Sequence, residues 1–206
     1  MELKYKSWDN ITIKIFNKLN SIKLEEYDDD SLLNANVKLL SILCDADEQE
    51  IESLPLHEFG RLIKEMSFIE KPLPQTNIKM LYNINGNVYH LNTNIKKMTT
   101  AQYIDFQTLY KQDKSNVAKI LACFMIPKGK KYGKYDIDDV VKELNEHFSI
   151  VDAETIMFFF AESYQKLITN IRISLTKQMN QNKKITPQMK KLMNQAMDLW
   201  KDGVGL

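Results

Sequence analysis

The stretch Tyr82-Asn83-Ile84-Asn85-Gly86-Asn87-Val88-Tyr89-His90 constrains the fold more than any other part of the chain. Asn-Gly is the favoured pair for a two-residue hairpin turn, because both positions need positive φ and these residues tolerate it. The flanking runs give a β-hairpin over about 78–92. Met80, Tyr82 and Ile84 alternate imperfectly with Lys79, Leu81 and Asn83, which points to partial cover on both faces. A hairpin alone is marginal in water, so it has to pack on other elements. The following NIKKM (94–98) is a candidate third short strand.

Everything around the hairpin carries the helical period. Asp9 is the expected cap of a first helix burying Ile11, Ile15, Phe16 and Leu19. Asp29 or Asp30 caps a second, with Leu32, Leu33, Val37, Leu40 and Leu43 on one stripe. Asp45 or Asp47 starts a short acidic helix. Pro55 opens a fourth, burying Leu56, Phe59, Leu62, Ile63 and Met66, because proline costs nothing in a first turn. KPLPQTN ends this cluster. Beyond the hairpin, Thr99 or Thr100 caps TAQYIDFQTLYKQ, with Tyr103, Phe106, Leu109 and Tyr110 on one side. NVAKILACFMI is apolar almost all round and reads as a central buried helix starting at Ser115 and stopped by Pro127. Asp136 caps an amphipathic helix that buries Ile137, Val140, Val141, Leu144 and Phe148. Asp152 caps a long helix over about 152–179, and Thr186-Pro187 opens a last one. The expected fold is α+β and predominantly helical. Its parts are an N-terminal helical cluster, the small hairpin and C-terminal helices. A compact α+β domain is expected over 1–165, with a basic helical extension over 166–206.

The stretch IPKGKKYGKYD (126–136) holds Lys128, Lys130, Lys131 and Lys134 with two glycines. A phosphate-cradling P-loop needs four residues between its glycines, then Lys and Ser/Thr. Gly129 and Gly133 enclose three, and Tyr135 stands where a hydroxyl ligand is needed. Two readings stay open. One is a wet connector whose glycines supply positive φ. The other is a nucleic-acid contact mixing cations with the stacking rings of Tyr132 and Tyr135.

No residue set is spaced for catalysis or for a metal. His57, His90 and His147 lack a partner at ligand spacing, and no G-x-S-x-G stretch occurs. Cys44 and Cys123 sit in apolar patterns that make a thiol inert. The acidic runs EEYDDD and DADEQEIE lack the glycine and terminal Glu of a calcium loop and read as helix N-terminal charge. No enzyme activity, cofactor or metal is therefore expected. The start MELKYKSWDN has no apolar h-region, so no secretory signal is expected. No apolar run approaches the roughly 20 residues that span a bilayer.

Formal net charge is +1, but it is unevenly spread. Residues 1–60 carry 13 acidic side chains against 6 lysines, while 166–206 carry 8 basic against 2 acidic. On the expected last helix, Met189, Leu192, Met193, Met197 and Trp200 form an apolar stripe. It suits either packing on the chain's own domain or docking of a partner, since methionine packs adaptably, with a membrane-surface helix third because the stripe is narrow and the segment short.

MTTAQYIDFQTLYKQ, taken with LLSILCDADEQEIESLPLHEF, ILACFMIPKGKKYGKYD and IVDAETIMFFFAESYQKLI, resembles proteins encoded among the virion and tail genes of tailed bacteriophages. The similarity is strongest to those of phages of Bacteroides and relatives, including the crAss-like group. A helical cluster with an L-P-L-x-E-F segment, a hairpin and a T-x-x-Q-Y-I-D helix follow in that order. The same order is similar to that of tail-assembly chaperones and baseplate-hub accessory proteins. The resemblance covers about residues 35–168 and brings no catalytic residue with it. It implies a non-enzymatic virion protein made in the host bacterial cytoplasm. The protein would be a tail, connector or packaged cargo component, contacting other phage proteins or copies of itself. A tail-assembly chaperone is the alternative, and a small nucleic-acid-binding regulator the second.

Overall fold

The structure, a computed structural model of the chain, describes residues 1–22, 29–94, 97–112 and 116–181. The elements run α1 (Ile13–Asn20), α2 (Asp29–Cys44), α3 (Glu48–Glu52), α4 (Leu56–Met66), β1 (Leu81–Ile84), β2 (Asn87–Leu91), α5 (Thr100–Gln112), α6 (Val117–Ala122), β3 (Met125–Pro127), α7 (Ile137–His147) and α8 (Ile150–Gln181). The fold is α+β and mostly helical, with one small antiparallel sheet of order β1-β2-β3. Two units divide the chain within α8, Met1–Ile156 and Met157–Leu206. The sequence reading placed that boundary at 165/166.

In the first unit, Thr12 caps α1 by accepting the Ile15 N–H, and Ile13, Ile15 and Leu19 are buried. Asp9 does not cap it. Trp8–Asn10 form a single 3-10 turn instead. Its Trp8 indole donates to the Lys71 carbonyl at 3.0 Å and meets Phe16 and Phe68 edge-on. Along α2, Val37, Leu40 and Leu43 are buried as expected, but Leu32 and Leu33 are about half exposed, so the first turn lies outside the stripe. Leu56, expected inside, is 85% exposed at the first turn of α4, where Leu62 and Met66 carry the packing.

The C-terminus of α2 is closed by two hydrogen bonds, Ala46 N–H to Ser41 O and Asp45 N–H to Ile42 O. This is the Schellman pattern, which puts one residue in the left-handed region. That residue is Asp45, at φ 54. The Lys4 ammonium bonds its carboxylate, and this hydrogen bond holds the Asp45 carboxyl below its ordinary range. One step on, the Glu50 carboxylate accepts the Asp47 N–H and fixes the start of α3.

Asn85 and Gly86 take φ 48 and 86 in the two-residue turn between β1 and β2. Leu81 pairs with His90 and Ile84 with Asn87. Tyr82, Ile84, Tyr89 and Leu91 form the buried face, and Tyr82 meets Phe148 edge-on at 5.2 Å. The sequence predicts partial cover on both faces; β1 instead alternates exposed and buried, with Leu81 on the open face about half exposed. Of the candidate strand NIKKM, residues 95–96 lie outside the described set, and Asn94, Lys97 and Met98 are not in a strand. The third strand is Met125–Pro127, pairing with Tyr89–Leu91 of β2. The predicted buried helix over NVAKILACFMI is accordingly short. Asn116, rather than Ser115, caps α6, which stops at Ala122. The chain then turns at Cys123-Phe124 into the sheet. Burial is nonetheless complete, with Ile120 to Met125 all 1% exposed or less.

Asp136 caps α7 by accepting the Asp138 N–H, and Val140 and Leu144 are buried. For α8 the cap is Ser149, whose hydroxyl accepts the Val151 N–H at 3.2 Å, and not Asp152. Asp152 accepts instead from the Thr76 hydroxyl. Ile13 N–H bonds Phe148 O and Ile150 N–H bonds Ile11 O, so the entry to α8 is stitched to the entry of α1. Within the first unit, α7 packs on α6, α1 and β1, while α1 packs on α2 and α2 on α3 and α4.

Glu154 lies on α8 inside this unit, and burial raises its carboxyl above the ordinary value of 4.5. The folded state thus holds this proton more tightly than the unfolded chain. Its contribution is full below pH 4.5 and is lost as pH rises through the raised folded value. Glu154→Gln is therefore expected to raise the melting temperature at pH 7 and to leave it unchanged in acid below the unfolded value. Thermal melts at both pH values check this.

In the second unit, α8 carries Glu162 paired with Lys166 at 3.5 Å, and Phe158 and Ile173 are about 60% exposed. Among the described residues, no helix is long and apolar enough to cross a membrane.

Candidate contact surface

The four predicted loop lysines fall on a segment with a definite build. At the end of β3, the Lys128 N–H bonds Val88 O of β2 at 2.8 Å. Two successive turns follow. Lys130 N–H closes the first on Pro127 O, and Lys134 N–H closes the second on Lys131 O, both at 3.0 Å. Gly129 (φ 80) and Gly133 (φ 75) occupy the third place of each turn, where a type II geometry requires positive φ. The connector is therefore a tandem turn leading from a strand into α7, and not a loose link between two helices. Gly129 and Gly133 still enclose three residues where a P-loop needs four, and the N-terminus of α7 already holds the Asp136 carboxylate.

Two tyrosines anchor the tandem turn to the domain. The Tyr132 hydroxyl donates to Asp105 of α5 at 2.7 Å, and its ring meets Tyr135 edge-on at 6.2 Å. Burial first, and then the bond to Asp105, raises the Tyr132 hydroxyl. Tyr135 turns inward, where burial followed by the neighbouring Cys123 pushes its hydroxyl up to about 12. Beside it, Tyr89 of β2 donates to Glu143 of α7, which also accepts from Asn87 at 2.8 Å. Burial and this bond raise Tyr89 too. Cys123 is fully buried, and desolvation pushes its thiol up to about 11, which removes it as a nucleophile at neutral pH.

The polar groups of this region are thus spent on fixing the backbone, while Lys128, Lys130, Lys131 and Lys134 are all exposed. None is paired with a carboxylate among the described residues. The sequence foresaw the lysines and glycines. It gave no local sign of Asp105 and Glu143, which lie 27 and 54 residues from their tyrosines. The second predicted contact set, Met189, Leu192, Met193, Met197 and Trp200, lies outside the described residues.

The Tyr135 hydroxyl is buried and has no hydrogen-bond partner among the described residues. A buried hydroxyl without an acceptor is costly, so Tyr135→Phe is expected to raise the unfolding free energy by about 1 kcal/mol. Tyr132→Phe, which breaks a made bond, is expected to lower it by about 1 kcal/mol. Paired urea denaturation curves distinguish the two.

Between α1, the end of α2 and the start of α3, a cleft of about 300 Å³ is lined by Ile15, Lys18, Ser41, Asp45, Asp47 and Glu50, among others. Along it, residues 45–52 carry five carboxylates, Asp45, Asp47, Glu48, Glu50 and Glu52, all exposed. His57, His90 and His147 are exposed and lie on three different elements, α4, β2 and α7. Among the described residues, no group of three His, Cys, Asp or Glu side chains is placed to hold a metal ion. Comparison with protein-family models, curated proteins and solved structures returns no match.

Proposed function

We propose that this chain is a non-enzymatic component of a tailed-bacteriophage particle, acting through protein–protein contacts. The observation that carries the reading is the tandem turn 127–134. Its backbone is closed by three hydrogen bonds and Tyr132 ties it to Asp105, yet all four of its lysines are exposed and, among the described residues, without a carboxylate partner. Rigid presentation of unpaired charge costs stability through self-repulsion and supports recognition of an opposite surface. The resemblance over residues 35–168 supplies the biological setting.

Mass spectrometry of gradient-purified particles of the encoding phage tests this. The proposal expects the chain there at a fixed ratio to a tail or connector protein. Absence from particles, with co-purification of a tail component from infected cells, would transfer the reading to an assembly chaperone. Absence from both would overturn it.

The free lysines also favour a second reading, a nucleic-acid-binding regulator. That reading predicts DNA binding that weakens steeply with salt, because phosphate contacts release counterions. It is weakened by the bound state of its aromatic partners. Tyr132 and Tyr135 pack on each other, and stacking on a base needs an open ring face.

A further inference from the structure

We infer that copies of this chain associate head to tail, the tandem turn of one copy docking on the acidic α3 edge of the next. The inference rests on the reading that the protein works by contact, and it names the partner as a second copy. Two charge extremes of opposite sign lie on one domain. Lys128, Lys130, Lys131 and Lys134 put four cations within seven residues. Asp45, Asp47, Glu48, Glu50 and Glu52 put five carboxylates within eight. All nine side chains are exposed.

The two faces cannot satisfy each other within one copy. The turn runs into α7, α7 packs on α1, α1 on α2, and α2 on α3, so three helices separate them in the packing order, and among the described residues no ion pair joins the two faces. Each face also carries a minority of the other sign. Lys4 bonds Asp45 and Lys18 lines the acidic cleft, while Asp136, Asp138 and Asp139 begin α7 beside the basic turn. That mixed pattern matches a protein surface of the inverse pattern better than a uniformly anionic polymer. The turn follows the end of a strand with open space beside both its glycines, and the acidic edge borders a cleft of about 300 Å³. A contact between two different faces of identical copies is heterologous. It builds a ring or an open stack according to the rotation per step, the geometries a particle protein uses.

The test is sedimentation velocity of the full chain over a concentration series, at about 0.05 M and about 0.5 M NaCl, across which the screening length shortens several-fold. The inference expects association at low salt that weakens about tenfold or more at high salt. Changing Lys128, Lys130, Lys131 and Lys134 all to Glu should abolish it. So should Glu48→Lys with Glu52→Lys, a pair that spares the Glu50 bond to Asp47. Mixing the two reversed variants should restore a complex. Circular dichroism melts confirm that both variants fold, and if one does not, the other carries the test.

A chain that stays monomeric at low salt overturns the inference. So does association indifferent to salt and to both variants, which would place the contact on apolar surface. DNA binding lost in the quadruple lysine variant, with no self-association, would assign the turn to nucleic acid. Failure here leaves particle proteomics untouched, so it is distinguishable from failure of the functional proposal.

Discussion

Phe124→Ala is expected to lower the unfolding free energy by about 3–5 kcal/mol, the range for deleting a buried aromatic ring. Phe124 is 1% exposed and stands at the corner where α6 gives way to β3. Its ring meets Phe106 of α5 edge-on at 5.1 Å, and its carbonyl accepts the Asn92 N–H beyond the end of β2. Removing the ring therefore loosens α5, the corner and the strand that launches the tandem turn. Denaturant unfolding should show the loss as a lower midpoint with an unchanged slope. Each kcal/mol should cost roughly 2–4 °C in melting temperature for a chain of this size. A loss under about 1 kcal/mol would mean that the corner collapses freely around the gap, contrary to the packing described.

Gln102→Leu is the second large effect, for a different reason. Gln102 is the one buried polar side chain among the described residues, at 2% exposure. Its carbonyl oxygen accepts from the Thr99 N–H and hydroxyl, while the Thr99 hydroxyl accepts the Gln102 N–H in return. This reciprocal arrangement is a capping box for α5. Its amide nitrogen then donates to the Cys123 carbonyl at 3.1 Å, tying the start of α5 to the same corner. Leucine matches the volume but strands the buried Cys123 carbonyl and removes the acceptor that caps α5 at the exposed Thr99. A cost of about 2–4 kcal/mol is expected, from one unsatisfied buried group at about 1–3 and a lost cap at about 1. Gln102→Glu keeps the cap acceptor and loses the donor to Cys123, so its cost should grow as pH rises and the carboxyl ionises. Denaturation at two pH values separates the cap from the tie.

The elements legible in the sequence are those whose signal is local. Asn85-Gly86 specifies its turn by backbone preference alone, and the hairpin follows. Asp136 and Thr99 cap the helices that the sequence assigns to them, because a cap and its target amide lie within three residues. The failures share one cause. ILACFMI is apolar on every side, and an all-round apolar run carries no period to separate helix from strand. The decision is made by β2, whose free edge offers hydrogen bonds to Met125–Pro127. Pro127 is tolerated there because it ends an edge strand, where its missing N–H goes unused. Likewise, Ser149 displaces Asp152 as the α8 cap because Ile150 is pinned to Ile11, a pairing across more than a hundred residues that no local pattern announces. Leu32, Leu33 and Leu56 show the converse. Helical spacing marks a stripe, but only a neighbouring element decides how far along the helix the stripe is covered.

The candidate contact surface is half legible in the same sense. Lysines and glycines between Ile126 and Asp136 are visible in the sequence, and the need for positive φ at two glycines follows from their turns. What makes the segment a presented surface is invisible there. Asp105 and Glu143 come from other helices to bind Tyr132 and Tyr89, and Tyr135 is buried against Cys123. These contacts convert a basic connector into a fixed shape, and they also withdraw the thiol and the phenols from solvent chemistry.

The central claim is that the protein acts by the charge and shape of its exterior and makes no bond. On the proposed phage origin, complementation of a phage deleted for this gene tests it most directly, by comparing the infectious titre supported by two variants. One carries Glu at Lys128, Lys130, Lys131 and Lys134. The other carries Ala at His57, His90, His147 and Cys123 together. The account predicts that the first loses titre by orders of magnitude and the second supports it nearly as well as the unaltered chain. A titre that survives the lysine changes and collapses with the histidine and cysteine changes, in a variant shown to fold, would contradict it.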